Sequence, residues 1–496
     1  MTTPWLRIDH LYVVLALSAA TTAVSLMGVP PNDFWWHMRV GQIIAEQGQI
    51  PQSNLFAWSV PAENPHVYAA WLGELLLYGL YSLGGSSTVI FARNILALIT
   101  FAIIGLEARR CSGSWKLAGL AVALAGLMAI NNVVVRPQIF AWVPFALFLL
   151  ILRRYADSAV RARWLVALPL VMVFWVNVHG SFILGMLIVG AVAVAETART
   201  AFKHEGALAR RELGWLYASG GGSFLALFLN PRGLGVVDYV RDLVTDPPSQ
   251  KLIVEWQPPA PTDPPNQVFF ASILLLLVAF ALGRARLSLT DALLVGGFLW
   301  LAWNGMRYVF WFGLVAMPVL ARSLSGGQAW AIPRQSILAN AVLAVMLLMP
   351  AVLVQPWLLR GMPLPDAYFE RMLPPPAPPL LTPETPLGAT EFLRSNPAGP
   401  GGRLFNDMGH GSYLIWAISG RPVFIDPRVE AYPLAQWEDY LDISGGWRSV
   451  ELLDRYGADR VLLSLSAQPE LSRQLAQSSG WQREYEDRWS EVWRRR

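Results

Sequence analysis

The stretch Tyr68-Ala-Ala-Trp-Leu-Gly-Glu-Leu-Leu-Leu-Tyr-Gly-Leu-Tyr-Ser-Leu83 decides how the chain is threaded. It is apolar, but it is only 16 residues long and carries Glu74. A helix that spans a bilayer needs about 20 apolar residues. A carboxylate within lipid is costly unless it faces protein or a cavity. Counted as a span, the stretch puts Arg109, Arg110 and Lys116 outside. Counted as a helix lying in the interface, it puts them inside, with Arg153, Arg154, Arg161, Arg163, Arg199, Lys203, Arg210, Arg211, Arg284, Arg286, Arg322 and Arg334. Basic residues favour the cytoplasmic side, so the second reading is adopted.

Working outward, eleven apolar spans can be laid at 9–29, 87–108, 117–135, 138–152, 164–177, 181–198, 213–229, 267–282, 288–303, 306–321 and 336–355. The first has Arg7 as a weak basic flank, but its length and the spans that follow favour an uncleaved helix over a signal peptide. Hydrophobic residues make up 54% of the chain and charged residues only 15%, against about 25% charge in soluble proteins. The 22 tryptophans suit membrane interfaces. A net charge of +4, dispersed among loops, leaves no nucleic-acid footprint. Cys111 is the single cysteine, which excludes an internal disulfide.

The expected organisation has three parts. A membrane domain covers 1–356, with a first outer loop at 30–86. A proline-rich connector at 357–384 contains Pro374-Pro375-Pro376 and Pro378-Pro379 and should be stiff. A water-soluble domain covers 385–496. Its runs Arg403–Asn406, Pro422–Asp426 and Arg460–Leu465 read as strands, and helices are expected near 411–418, 434–442, 447–456 and 468–478. The fold class is thus a polytopic α-helical membrane protein with a small C-terminal extracytoplasmic α/β domain. The chain is expected in the cytoplasmic (inner) membrane, with its amino terminus cytoplasmic.

On this threading the unusual polar motifs share the outer face. They are Asn32-Asp33-Phe34-Trp35-Trp36-His37, Arg136-Pro137-Gln138, Asn177-Val178-His179-Gly180, Asn230-Pro231, Glu255-Trp256 and Asn304-Gly305-Met306-Arg307. Asn32 or Asp33 can cap a helix that runs to Gln47 and stops at Gly48. Asp33 and His37, four apart, lie on one helical face. With Glu74 they offer two carboxylates and a histidine for acid–base work. Arg136 and Arg307 can either snorkel to headgroups or grip phosphate oxygens in a fork; Arg232 is a weaker third. His179 and Asn177 either end a helix or join the polar cluster. Glu255 and Trp256 lie in the long loop 230–266, which suits a lid or a stiff connector. In the soluble domain, Asn406-Asp407-Met408-Gly409-His410 and Asp426-Pro427-Arg428 read as turn and cap residues. There is no HExxH, CxxC, GxGxxG or P-loop.

These motifs resemble the polytopic GT-C superfamily of glycosyltransferases. Asp33-Phe-Trp-Trp-His37, an acidic interfacial helix, Arg136-Pro-Gln138 and Trp175-Val-Asn-Val-His-Gly180 carry the resemblance. More narrowly, they are similar to bacterial members related to protein O-mannosyltransferases and lipid A aminoarabinose transferases. The run Phe405-Asn-Asp407…Gly411-Ser-Tyr-Leu-Ile-Trp416…Asp426-Pro-Arg428 resembles uncharacterised bacterial members. The resemblance implies an acidic active-site residue in the first outer loop, here Asp33, with Glu74 second, and interfacial helices in that loop. An adjacent acidic pair found in some members is missing here, so a divalent metal (Mg or Mn) stays open and no metal ligand is assigned.

Three functions follow from different classes. The leading one is transfer of a sugar from a polyprenyl-phosphate donor to a glycan, lipid or protein acceptor. Asp33 would be the base, Glu74 and His37 its catalytic company, and Arg136, Arg307, His179, Asn177, Trp36, Glu255 and Trp256 would bind substrate within the membrane lipid boundary. A transporter or flippase of a lipid-linked substrate and a non-catalytic membrane scaffold are the alternatives.

Overall fold

The computed structural model describes residues 6–282, 287–325, 336–359, 372, 377–397 and 402–496. In chain order its helices are α1 (Ile8–Ser25), α2 (Phe34–Gln47), α3 (Trp71–Ser112), α4 (Trp115–Ala129), α5 (Trp142–Ala156), α6 (Ala167–Val178), α7 (Phe182–Ala201), α8 (Arg210–Ala226), α9 (Val236–Thr245), α10 (Pro247–Leu252), α11 (Pro264–Ala281), α12 (Leu289–Asn304), α13 (Val309–Ser323) and α14 (Ile337–Leu353). Helices occupy all eleven expected spans. Six are long and apolar enough to cross a membrane by length and composition, and three more are shorter apolar helices. Pro374-Pro375-Pro376, Arg284, Arg286 and Arg334 lie outside the described residues.

Helix α3 has 42 residues, ~63 Å at 1.5 Å per residue, about twice a bilayer core. It breaks at Gly84 and Gly85, where Gly85 takes φ 67°, a left-handed backbone that glycine adopts without a Cβ penalty. The break separates the arm Trp71–Leu83, which carries Glu74, from the span that begins at Ser86. Helix α2 ends at Gly48 as its sequence signals.

Helix α13 is the centre of the bundle. Every residue from Val309 to Ala321 is buried, against α3, α4, α11 and α12. At one end of the bundle the arginines meet buried carboxylates: Glu107 holds Arg110 at 2.6 Å and Arg154 at 3.2 Å, and Asp291 pairs with Arg153 and Arg322. Near the other end, buried Arg93 of α3 donates to the carbonyls of Val24 (2.6 Å) and Met27 (3.2 Å). Val24 lies in the last turn of α1 and Met27 just beyond it, where carbonyls outnumber the helix's own donors.

The C-terminal region carries a four-stranded sheet, β1 (Leu404–Asn406), β2 (Arg460–Ser464), β3 (Trp481–Glu486) and β4 (Ser490–Arg495), in the order β1-β2-β4-β3. Strands β1 and β2 are parallel and the rest antiparallel. Residues Pro422–Asp426, expected as a strand, are not one. Val423 instead bridges to Ala57 of the outer loop, giving its N–H to the Phe56 carbonyl at 2.7 Å. The expectation fails because the partner is the outer loop rather than the sheet. The outer loop is in fact part of this region's core: Trp36, Val40, Ile43 and Phe56 pack with Leu393, Leu404, Leu414 and Leu462. Residues 380–382 also pair with the start of that loop, Val29 N–H to the Leu380 carbonyl at 2.6 Å and Thr382 N–H to the Val29 carbonyl at 3.1 Å.

Candidate functional site

Asp33 sits at the cap position of α2, yet its carboxylate does not cap the helix. Ser412, on the helix Met408–Ala417, does that work. Its hydroxyl donates to the Asn32 carbonyl at 2.5 Å and accepts from the Trp36 N–H at 3.0 Å, satisfying a donor in the first turn. The Asp33 carboxylate is left free to face Arg136, at 3.6 Å.

Arg136 follows α4 and precedes Pro137, which holds it extended. Its guanidinium lies between two carboxylates, with Glu255 at 2.9 Å on the other side, and also donates to Gln138 at 2.9 Å. Burial opposes the charge on Arg136, but Glu255 and Asp33 outweigh it and hold its pKa above the usual value. Glu255 is kept below the carboxylate range because Arg136 overcomes the effect of burial. Asp33 goes the other way. Burial raises its pKa, Arg136 pulls against this and Glu255 adds to it. The quarter of its side chain that stays open (26%) moderates the effect.

His37 lies one turn on from Asp33 and reaches back to the α3 arm, with Nδ1 2.9 Å from Glu74 Oε1. The close approach depends on Gly41: a Cβ there would stand 2.1 Å from the Glu74 carbonyl oxygen. Burial, with His179 and Arg136 nearby, pulls the His37 pKa well below the ordinary value, so the ring is neutral at pH 7. Glu74 is 1% exposed and its Oε2 has no partner among the described residues.

His179 follows α6. Its Nδ1 accepts from the Ser181 N–H at 3.1 Å and lies 2.9 Å from the Ser181 hydroxyl. Burial, Arg136 and Arg307 depress its pKa well below the usual value. With the ring neutral and Nδ1 accepting, the proton rests on Nε2, which becomes a hydrogen-bond donor.

Asp33, Trp36, His37, Glu74, Arg136 and His179 line one cavity, about 1210 Å³ of empty space with its mouth included. The other anticipated residues stand outside that wall. Asn177 is occupied with the Trp71 indole (2.8 Å) and the carbonyls of Val173 and Leu229. Arg307 stacks over Trp256, 4.4 Å from its ring centre, beside Glu255, and forms no ion pair among the described residues. Trp36 is 8% exposed, its ring 3.6 Å from that of His37, so it buttresses the loop. Sequence reasoning missed His66, Tyr68, Tyr239 and Glu430, which complete the wall. Loop 230–266 supplies Tyr239, Asp242, Asp246 and Ser249 through α9 and α10 and is a wall element. Asp426 and Arg428 form a buried ion pair at 2.7 Å, and Arg428 donates to the Tyr68 hydroxyl at 3.1 Å, tying the C-terminal region to the cavity. Asn406 and Asp407 act in turns and caps. Among the described residues no cluster of three or more His, Cys, Asp or Glu could hold a metal. The carboxylates of Asp33 and Glu255 are turned to Arg136.

No protein-family model and no curated protein matches this chain. Solved structures do. The chain is similar to ArnT from Cupriavidus metallidurans in the apo state, with 14% identity, a TM-score of 0.55 and coverage of 97% of both chains. It is similar to the archaeal oligosaccharyltransferase AglB from Archaeoglobus fulgidus, in complex with an inhibitory peptide and a dolichol-phosphate, with 12% identity, a TM-score of 0.52, and 92% of this chain and 69% of that one covered. The arabinofuranosyltransferase AftD from Mycobacteria gives 12% identity and a TM-score of 0.54, covering 99% of this chain and 40% of that one. These are GT-C membrane glycosyltransferases, and the likeness is one of fold.

Proposed function

We propose that this chain, with its GT-C fold, is a membrane glycosyltransferase that moves a sugar from a polyprenyl-phosphate donor to an extracytoplasmic acceptor. One observation carries the reading: the Asp33 carboxylate, relieved of capping by Ser412, faces a cavity beside Arg136. A neighbour of the same fold has been solved with undecaprenyl phosphate and another with dolichol-phosphate, which supports a lipid-phosphate carrier.

In the proposed step Asp33 takes the proton of an acceptor hydroxyl. The hydroxyl oxygen bonds to the anomeric carbon as the bond from that carbon to the phosphate oxygen breaks. The electron pair leaves with the polyprenyl phosphate, and a single displacement inverts the anomeric centre. The Nε2–H of His179, in the cavity wall, and Arg307, which lies beyond that wall and forms no ion pair among the described residues, stabilise the charge that grows on the phosphate. Arg136 is a positioning residue that holds Asp33 and Glu255. His37 and Glu74 form the polar floor.

The test is turnover of a panel of polyprenyl-phosphate sugars by purified protein in lipid nanodiscs, beside Asp33→Asn. Wild type should consume a donor, and the variant should lose roughly 100- to 10,000-fold in rate, the usual worth of a positioned base, at unchanged melting temperature. Accumulation of an unaltered lipid-linked substrate in sealed vesicles would point to transport instead.

A further inference from the structure

A second cavity lies on the far side of the outer loop, between α2 and the C-terminal region, with about 1090 Å³ of empty space including its mouth. Arg39 and Arg421 line it, together with Gln47, Gln49, Gln52 and Ser53, and no Asp or Glu does. Neither arginine forms an ion pair among the described residues. Arg39 has only Gln42, at 2.7 Å. Arg421 Nη2 is buried without a partner. This is unusual in a chain whose other half-buried arginines are mostly tied to carboxylates among the described residues, such as Arg154 to Glu107 at 3.2 Å.

The placement of Arg421 is built into the fold. The helix Met408–Ala417 ends, Gly420 adopts φ 86°, and the Arg421 N–H closes the turn on the Ile418 carbonyl at 3.2 Å. Burial, with Arg460 close by, pulls the Arg421 pKa below its ordinary value. Its charge is therefore under-compensated. The carboxyl end of α2 adds weak negative potential, so the two guanidinium groups must carry any bound anion.

The cavity is linked to the one that holds Asp33 by shared walls. Ile50, Pro51 and Gln52 line both it and a small intermediate pocket. That pocket shares His66, Tyr68, Gly180 and Tyr239 with the cavity that holds Asp33. The three pockets thus adjoin one another along the outer loop, from Asp33 to Arg39 and Arg421.

We propose that Arg421 and Arg39, with the flanking glutamine amides and Ser53, form a second oxyanion site of phosphate type. It takes the anionic group of an acceptor laid along the outer loop, or a phospholipid headgroup. Guanidinium forks suit phosphate oxygens, and charge-assisted bonds of this kind are the strong ones. The acceptor assignment rests on the transferase reading, whereas the anion site itself does not.

The experiment uses the full chain in phosphatidylcholine nanodiscs and inorganic pyrophosphate as the probe, read by calorimetry. Saturable binding is expected. It should weaken at least tenfold in Arg421→Gln and in Arg39→Gln, weaken less in Arg421→Lys, which keeps the charge but not the fork, and stay unchanged in Arg136→Gln. Absence of binding to wild type overturns the proposal, as does binding that ignores both arginines but fails in Arg136→Gln. Phosphatidylglycerol in the disc distinguishes the sources: competition with pyrophosphate assigns the site to lipid headgroups, and no effect assigns it to the acceptor. Pyrophosphate binding without donor consumption would sink the transferase reading alone, and donor consumption without pyrophosphate binding would sink this one alone.

Discussion

Asp33 and Glu255 divide one guanidinium between them, and the division is uneven. Glu255 takes the 2.9 Å contact and falls in pKa, while Asp33 takes the 3.6 Å contact and rises. A raised base is lost at higher pH than an ordinary carboxylate of 3.8. Donor turnover should therefore be present above the pKa of Asp33 and decline as pH falls through it. Burial is the main cause of the raised Asp33 pKa and Glu255 adds to it; in Glu255→Gln that addition is gone, so the acidic limb of kcat/KM should move to lower pH, with the rate falling about tenfold from misplacement of Arg136. An acidic limb that moves upward would contradict Asp33 as the base. The sequence exposes Asp33, His37, Glu74, Arg136 and His179 because each is a polar residue at the edge of an apolar run, where its cost demands a reason. His66, Tyr68, Tyr239 and Glu430 give no such signal. His66 and Glu430 sit among loop residues, Tyr68 is one more aromatic at the start of an apolar stretch and Tyr239 lies within α9; only the tertiary fold brings them to one wall.

Helices α2 and α3 cross so closely that a hydrogen atom is the side chain the crossing admits. Gly41→Ala would place a Cβ 2.1 Å from the Glu74 carbonyl oxygen and 2.9 Å from the Tyr78 Cβ. Overpacking of this kind costs about 1–3 kcal/mol, and the wedge would also part His37 from Glu74. The expected result is a lower melting temperature together with reduced donor turnover; a variant as stable and active as wild type would show that α2 has slack. Hydropathy locates the helices because lipid-facing residues must be apolar all along each one. It also favours the interfacial reading of 68–83, since Glu74 and the Gly84–Gly85 break stand at either end of the arm. It fails in the sheet. Strands β3 and β4 are rich in Arg and Glu, with β3 largely open to solvent, so no apolar run announces the hairpin. Pro422–Asp426 is apolar for a different reason, namely burial against the outer loop.

At the scale of the whole molecule, polar motifs gather at one end of the bundle and the arginine clusters around Glu107 and Asp291 at the other. The threading that places the motif end outside the cell makes a direct prediction. A membrane-impermeant maleimide should label Ser478→Cys, made in a Cys111→Ser background, in intact spheroplasts. It should reach the native Cys111 only after the membrane is opened. The reverse pattern would invert the topology and remove the extracytoplasmic acceptor.

Ser412 settles the first turn of α2 through Asn32, 380 residues before it in the chain. A ribosome delivers the amino end first, so α2 enters the membrane surface long before the hydroxyl that completes it has been made. A nascent chain halted after Leu353, the end of α14, but short of residue 412 carries every apolar helix of the bundle described above yet leaves Asp33 unset. Competence thus arrives with the last quarter of synthesis, and in the transferase reading a half-made molecule cannot squander the cell's small supply of lipid-carried sugar.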